Sequence, residues 1–124
     1  MSSGPEASPP LHHLALRSAD LEKTAAFYRE TLGLRVVRDN LPRSLWLGLG
    51  AGAVLMIEAR EPGEPSIPAG SRELFAVRVE NERKAQIRAL AVAEGFFDGE
   101  TEHTVYLRDP DGRRVGVSTA DLGR

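Results

Sequence analysis

The sequence carries one pattern twice, about sixty residues apart, and this internal duplication limits the fold more than any other feature. Residues 12–20, HHLALRSAD, align without a gap with residues 73–81, ELFAVRVEN. Each copy opens with the apolar alternation of a half-buried strand and continues into an apolar stripe with helical spacing. Three further strand-like segments follow each helix. The chain is therefore predicted to form two β-α-β-β-β units.

The ends of the two helices and one turn are marked by individual residues. Asp20 is a good N-cap for the first helix, and Gly33 can adopt the left-handed conformation that ends it. The second helix stops at Gly95. The DPDG segment at residues 109–112 has the proline and glycine of a turn, so its two aspartates are assigned to structure and not to catalysis. The apolar stripes of the two helices are Leu21, Ala25, Tyr28 and Leu32 in the first copy and Ile87, Leu90 and Ala91 in the second.

These elements place the chain in the α+β class. We predict a single domain over residues 11–122, with unit one at 11–60, a stiff proline-rich linker at 61–71 and unit two at 72–122, after a disordered tail at 1–10. The two units are expected to form a curved, half-open mixed β-barrel with the helices on the convex side. The concave side of such a barrel is a natural cavity for a small molecule.

Composition excludes several classes of function. The chain has no cysteine, which rules out a disulfide framework, a thiolate nucleophile and a zinc finger, and which fits a reducing compartment. Its net charge of -2 comes from interspersed acids and bases, so we expect no nucleic-acid partner and no membrane surface. No apolar run approaches the roughly 20 residues of a membrane span, and the N-terminal residues lack the pattern of a signal peptide. We expect a cytoplasmic protein.

Two segments resemble one known group of proteins. LHHLALRSADLEKTAAFYRETLGL, residues 11–34, followed late in the chain by LRDPDGRRVGV, residues 107–117, is similar to the vicinal oxygen chelate superfamily. This group includes glyoxalase I, fosfomycin-modifying thiol transferases, extradiol dioxygenases, methylmalonyl-CoA epimerase and the metal-free bleomycin-binding resistance proteins. The resemblance covers about residues 11–122; it implies the paired-unit fold and leaves the reaction open.

The resemblance also implies where a catalytic metal would be held. Metal-dependent members take ligands from the first and last strands of each unit, and the matching positions here are His13, Met56, Leu74 and Gly116. Methionine, leucine and glycine offer no side-chain donor to a hard divalent cation. A strand register shifted by one pair could bring Glu58 towards His13, which would still give only two ligands. We therefore expect no cofactor, with a divalent metal as the alternative.

The concave side still offers residues that could bind an organic molecule. The expected ligand-binding residues are His13, Arg17, Trp46, Met56, Glu58, Leu74, Arg78 and Tyr106. Arg17 matches the arginine that helps glyoxalase I to bind the glutathione carboxylate, and Arg78 is its equivalent in the duplication. Two arginines against one carboxylate favour an anionic ligand. The alternatives are that both arginines end their strands in water and that His13 and the aromatic residues only pack.

Three functions are compatible with these residues. The first is a binding module that holds a small organic molecule without a metal, as the drug-sequestering resistance proteins do. The second is a divergent glyoxalase-, thiol-transferase- or dioxygenase-type enzyme that uses His13 and Glu58, with a metal completed at a dimer interface. The third is an accessory subunit without a ligand. The loss of three metal-ligand positions favours the first. A homodimer is expected, because superfamily members with two units commonly pair so that each cup is completed across the interface.

Overall fold

A computed structural model describes residues 8–122 of the chain. The elements of unit one are β1 (His13–Ser18), α1 (Leu21–Leu32), β2 (Val36–Asn40), β3 (Ser44–Gly48), a 3₁₀ turn (Gly50–Gly52) and β4 (Val54–Ala59). The elements of unit two are β5 (Leu74–Arg78), α2 (Asn81–Glu94), β6 (Phe97–Glu100), β7 (Thr104–Arg108) and β8 (Arg114–Ser118). The α+β class and the two tandem units are confirmed. Of the predicted tail at 1–10, positions 1–7 lie outside the described residues, and 8–10 form no helix or strand.

The two units fold into four-stranded mixed sheets with the same strand order. That order is β1-β4-β3-β2 in unit one and β5-β8-β7-β6 in unit two, and the sheets do not close into a barrel. The first pair in each sheet is parallel and the other pairs are antiparallel. The register repeats as well, because Ala15 lies opposite Met56 and Ala76 lies opposite Gly116. The gapless alignment of residues 12–20 with 73–81 therefore places β1 and β5 at equivalent positions in the two sheets.

The helices begin and end where the sequence indicates. The Asp20 carboxylate accepts a hydrogen bond from the Lys23 N–H at 3.2 Å, which satisfies an amide that the helix itself cannot pair. Gly33 and Gly95 take φ angles of 73° and 86°, the left-handed conformation that ends α1 and α2. The start of α2 differs, because Glu80 makes no side-chain cap. Across residues 8–122, no helix has the length and apolar character needed to cross a bilayer.

The core lies between the helices and the convex faces of the sheets, as predicted. The residues packed around α1 include Leu16, Leu21, Ala25, Tyr28, Leu47, Leu55 and Ile57, and those around α2 include Ile87, Ala91, Val105, Leu107 and Val117. Val115 of unit two belongs to the first cluster, and Phe27 of α1 packs against the second. Leu90, in contrast, is exposed, because α2 contacts its sheet through the narrower stripe of Ile87 and Ala91.

The DPDG turn, residues 109–112, joins β7 to β8 and also attaches unit two to unit one. The Tyr28 hydroxyl donates a hydrogen bond of 2.6 Å to the buried carboxylate of Asp109. Burial and the Asp109 charge raise the pKa of Tyr28, so the phenol remains a donor. Asp111 accepts a hydrogen bond of 2.9 Å from the Ala19 N–H. The turn was correctly predicted from the sequence, and both of its carboxylates also bind across the two units.

Candidate functional site

The concave face of unit one holds most of the predicted ligand residues, arranged in rows across β1, β4 and β3. These rows are His13–Val54–Gly48, Ala15–Met56–Trp46 and Arg17–Glu58–Ser44. His13 is exposed at one end, and its Nδ1 lies 2.9 Å from Nδ1 of His12. The charged pair of Arg17 and Glu58 lies at the other end. A row of apolar side chains therefore separates the imidazole from the ion pair.

Arg17 is held by two carboxylates, one of which the sequence did not indicate. Its Nη1 donates to Glu58 at 3.1 Å, and its Nε and Nη2 donate to the two oxygens of Glu64 at 2.9 and 3.0 Å. The hydrogen bonds from Arg17 to Glu64, with one from the Glu61 backbone N–H, lower the pKa of Glu64 to about 2. The expected excess of positive charge is therefore wrong at this end of the face, because Glu64 of the linker supplies a second carboxylate.

Trp46 lies at the centre of the same face, next to Met56. The guanidinium of Arg38 is 5.0 Å from the centre of its ring. Its indole Nε1 is buried, and it is the one buried side-chain nitrogen or oxygen in residues 8–122 without a hydrogen-bond partner. A buried N–H without an acceptor is costly, so this atom is an unsatisfied donor within the face.

The concave face of unit two carries an apolar-walled cavity of about 300 Å³. Its lining includes three of the predicted ligand residues, Leu74, Arg78 and Tyr106. Thr104 and Ser118 add hydroxyl groups, which hydrogen-bond to each other at 2.8 Å. Arg78 is exposed at this cavity, and its guanidinium has neither a hydrogen bond nor an ion pair with any residue of the described chain.

The other arginines of this face are already paired. The Arg114 guanidinium stacks over the Tyr106 ring at 4.0 Å from its centre. Arg114 and Arg108 each donate through Nε to the same oxygen of Asp98, at 2.9 and 3.0 Å. Glu100 of β6 is paired with Arg88 of α2, which leaves Asp98 as the strand carboxylate beside Arg78, Arg108 and Arg114 and makes the local charge positive. Strand alternation could have identified Arg114, which lies two residues before Gly116.

Residues 10–117 match the family model described as the Glyoxalase/Bleomycin resistance protein/Dioxygenase superfamily. The chain belongs to this superfamily.

Solved structures agree with the superfamily fold. Lactoylglutathione lyase from Agrobacterium tumefaciens has a TM-score of 0.68 at 22% identity, over 94% of this chain and 95% of that chain. The fosfomycin resistance protein FosX from Listeria monocytogenes has a TM-score of 0.74 at 18% identity, over 94% of each chain. Glyoxalase I from Leishmania major has a TM-score of 0.73 at 24% identity, over 90% of this chain and 86% of that chain. These identities support the fold alone. A comparison with curated proteins gave no significant match.

The superfamily's metal positions do not fit a divalent metal in this chain. In unit two, a Cβ added to Gly116 would lie 3.5 Å from Cδ1 of Leu74 and 3.2 Å from Cβ of Ala76, so hydrocarbon closes the space between these positions. In unit one, Met56 faces Ala15 and only His13 carries a nitrogen donor. Over residues 8–122, no three His, Cys, Asp or Glu side chains group in a way that could hold a metal ion.

The strand register also separates the two residues of the predicted enzyme alternative. Glu58 lies opposite Arg17, whereas His13 lies opposite Val54. The shifted register that would bring Glu58 to His13 does not occur, because the pairing of β1 and β4 runs without a bulge. The rows that contain His13 and Arg17 lie four residues apart along the extended strand, a distance of roughly 13 Å. Within one chain, Glu58 is therefore a partner of Arg17 and not of His13.

The eight predicted ligand residues are thus divided between two faces. Unit one holds His13, Arg17, Trp46, Met56 and Glu58, and unit two holds Leu74, Arg78 and Tyr106. A homodimer that places one face against the other stays a prediction.

Proposed function

We propose that the protein binds a small organic anion, without a metal, in the cavity on the concave face of unit two. The observation that carries this proposal is the replacement of the superfamily's metal ligands in that unit by Leu74 and Gly116. The Leu74 side chain packs beside Gly116, where a Cβ would lie 3.5 Å from the leucine Cδ1. An apolar wall therefore stands where a Lewis acid would be held, and a ligand there is recognised by apolar contact and a few polar groups.

Charge and shape support an anionic, flat ligand. Arg78 is a cation without a partner in the described chain, at one end of a cavity whose walls include Leu74 and the ring of Tyr106. A guanidinium binds a carboxylate through two parallel hydrogen bonds, which favours a carboxylate-bearing molecule over a neutral one. The stacking of Arg114 on Tyr106 fixes the aromatic wall in position.

The test is a binding comparison between matched carboxylates and amides, for example benzoate and benzamide, by ligand-observed NMR. We expect carboxylates to be enriched among the binders. Arg78→Ala should weaken their binding by about tenfold or more, since a hydrogen bond to a charged group contributes about 1.5–3 kcal/mol. Arg29→Ala is the control, because Arg29 is an exposed arginine on α1, in the other unit. Equal binding of acids and amides, or equal effects of the two substitutions, would refute the proposal.

A further inference from the structure

A second, polar cavity of about 300 Å³ lies on unit one, where β1 and β4 end and β3 begins. Three arginines line it, Arg17, Arg43 and Arg60, together with Glu58 and Glu61. Each arginine comes from a different part of the unit. Their convergence is a product of the fold and not of a basic run in the sequence.

Two of these arginines are available to a ligand. The guanidinium groups of Arg43 and Arg60 make no hydrogen bond and no ion pair with the residues from 8 to 122, and Ser44 adds a buried hydroxyl side chain beside them. Guanidinium groups match phosphate and carboxylate oxygens in both charge and hydrogen-bond geometry. The cavity therefore has the donors that an oxyanion requires.

The third arginine is occupied by the chain itself. Glu64 of the linker approaches Arg17 with both carboxylate oxygens, at 2.9 and 3.0 Å, in the forked geometry that an external carboxylate or phosphate would use. The same carboxylate accepts the Glu61 N–H at 2.9 Å, which ties the start of the linker to this contact. The side chains of Arg17 and Glu64 are 40% and 22% exposed, and ion pairs open to water in this way are weak enough to be displaced.

Removal of Glu64 would change the charge of the cavity. With Glu64 in place, three arginines face Glu58, Glu61 and Glu64, and the charges balance. Once Glu64 leaves, the balance becomes positive and Arg17 regains two donor positions. The linker glutamate thus acts at this site as a competing anion.

We propose that this cavity is a binding site for a multiply charged oxyanion, and that Glu64 occupies Arg17 as an internal competitor which the anion displaces. The proposal is independent of the cavity on unit two. Binding there would involve Arg78, whereas binding here moves the linker.

Inorganic phosphate is the probe, added against sodium chloride of equal ionic strength, and the Nε–H signal of Arg17 is followed by NMR. We expect phosphate to shift this signal and to bind Glu64→Gln about tenfold more tightly than the native chain. In the native chain, phosphate should also speed hydrogen exchange of the Glu61 N–H. Glu61→Gln is the matched control, because it removes the same charge from the same cavity without touching Arg17, and we expect its affinity to change by threefold or less. Arg78→Ala should leave all of these values unchanged.

Two results would overturn the proposal. If phosphate does not move the Arg17 signal in Glu64→Gln, the cavity is not an oxyanion site. If Glu64→Gln and Glu61→Gln tighten binding equally, net charge is responsible and Glu64 does not compete for Arg17. Both substitutions affect side chains at the surface, and the remaining NMR signals report directly whether each variant is folded.

Discussion

Tyr28→Phe tests how the two units are attached to each other. The substitution removes the hydroxyl that donates to buried Asp109 at 2.6 Å, and it keeps the ring that stacks against Phe75 with centres 6.1 Å apart. A hydrogen bond to a charged group contributes about 1.5–3 kcal/mol. Asp109 would retain Arg113 at 2.7 Å and the Asp111 N–H at 2.9 Å, so its charge would still be compensated. We therefore expect the free energy of unfolding to fall by about 2 kcal/mol.

Urea denaturation measures this change, with the fluorescence of Trp46, the single tryptophan, as the signal. A loss of this size should lower the thermal midpoint by about 5–10 °C. Tyr106→Phe is the matched control, because it removes the same atom from a tyrosine whose hydroxyl has no hydrogen bond with the described residues, and its effect should stay within about 0.5 kcal/mol. If both variants were equally stable, the contact with the DPDG turn would not contribute to holding the units together.

Metal binding, pH and assembly supply three more predictions. The native chain should take up less than one equivalent of Ni²⁺ or Mn²⁺ in calorimetry. The double substitution Leu74→His with Gly116→Glu should create or strengthen metal binding. Stoichiometric uptake by the native chain would contradict this prediction. Arg17, the Glu61 N–H and the charge of Arg60 lower the pKa of Glu64 in the folded chain to about 2. The ion pair of Glu64 with Arg17 is therefore fully formed above the ordinary pKa of 4.5, and it is lost as the pH falls towards 2. Protection of the Glu61 N–H, measured relative to Glu64→Gln at each pH, should disappear over that range and stay constant above it. Sedimentation at micromolar concentration should show a dimer, and a monomer would count against an interface of the expected size, well over about 1,000 Å².

Most of the fold could be predicted because the signals that specify it are local. Strand alternation, helical stripes and the end residues Asp20, Gly33 and Gly95 act over a few neighbouring positions. The duplication then supplied information at long range. Aligning the turn glycine Gly112 with Gly52 placed Gly116 at the position of Met56, and the closeness of Leu74 to Gly116 follows from the register that the two sheets share.

The site was predicted less completely, because its charges depend on segments without periodicity. Strand alternation correctly predicted that Arg17 and Glu58 lie on one face. The linker has no periodic pattern, so the contact of Glu64 with Arg17 could not be predicted. The DPDG turn shows the same limit. Its shape follows from proline and glycine, whereas the binding of Asp109 to Tyr28 depends on how the two units pack against each other.

The DPDG turn also has a consequence for protein engineering. Polar groups of each unit are satisfied by the other: Asp111 accepts from the Thr24 hydroxyl at 2.8 Å, and Arg113 donates to the Arg17 carbonyl at 2.9 Å. The linker is the covalent connection between the two units, and it is exposed at Gly63. A break at that position leaves every one of these partners in place. The two halves, produced as separate polypeptides, are therefore expected to reassemble by complementation, and fusing each half to a different protein would convert the chain into a split reporter of proximity.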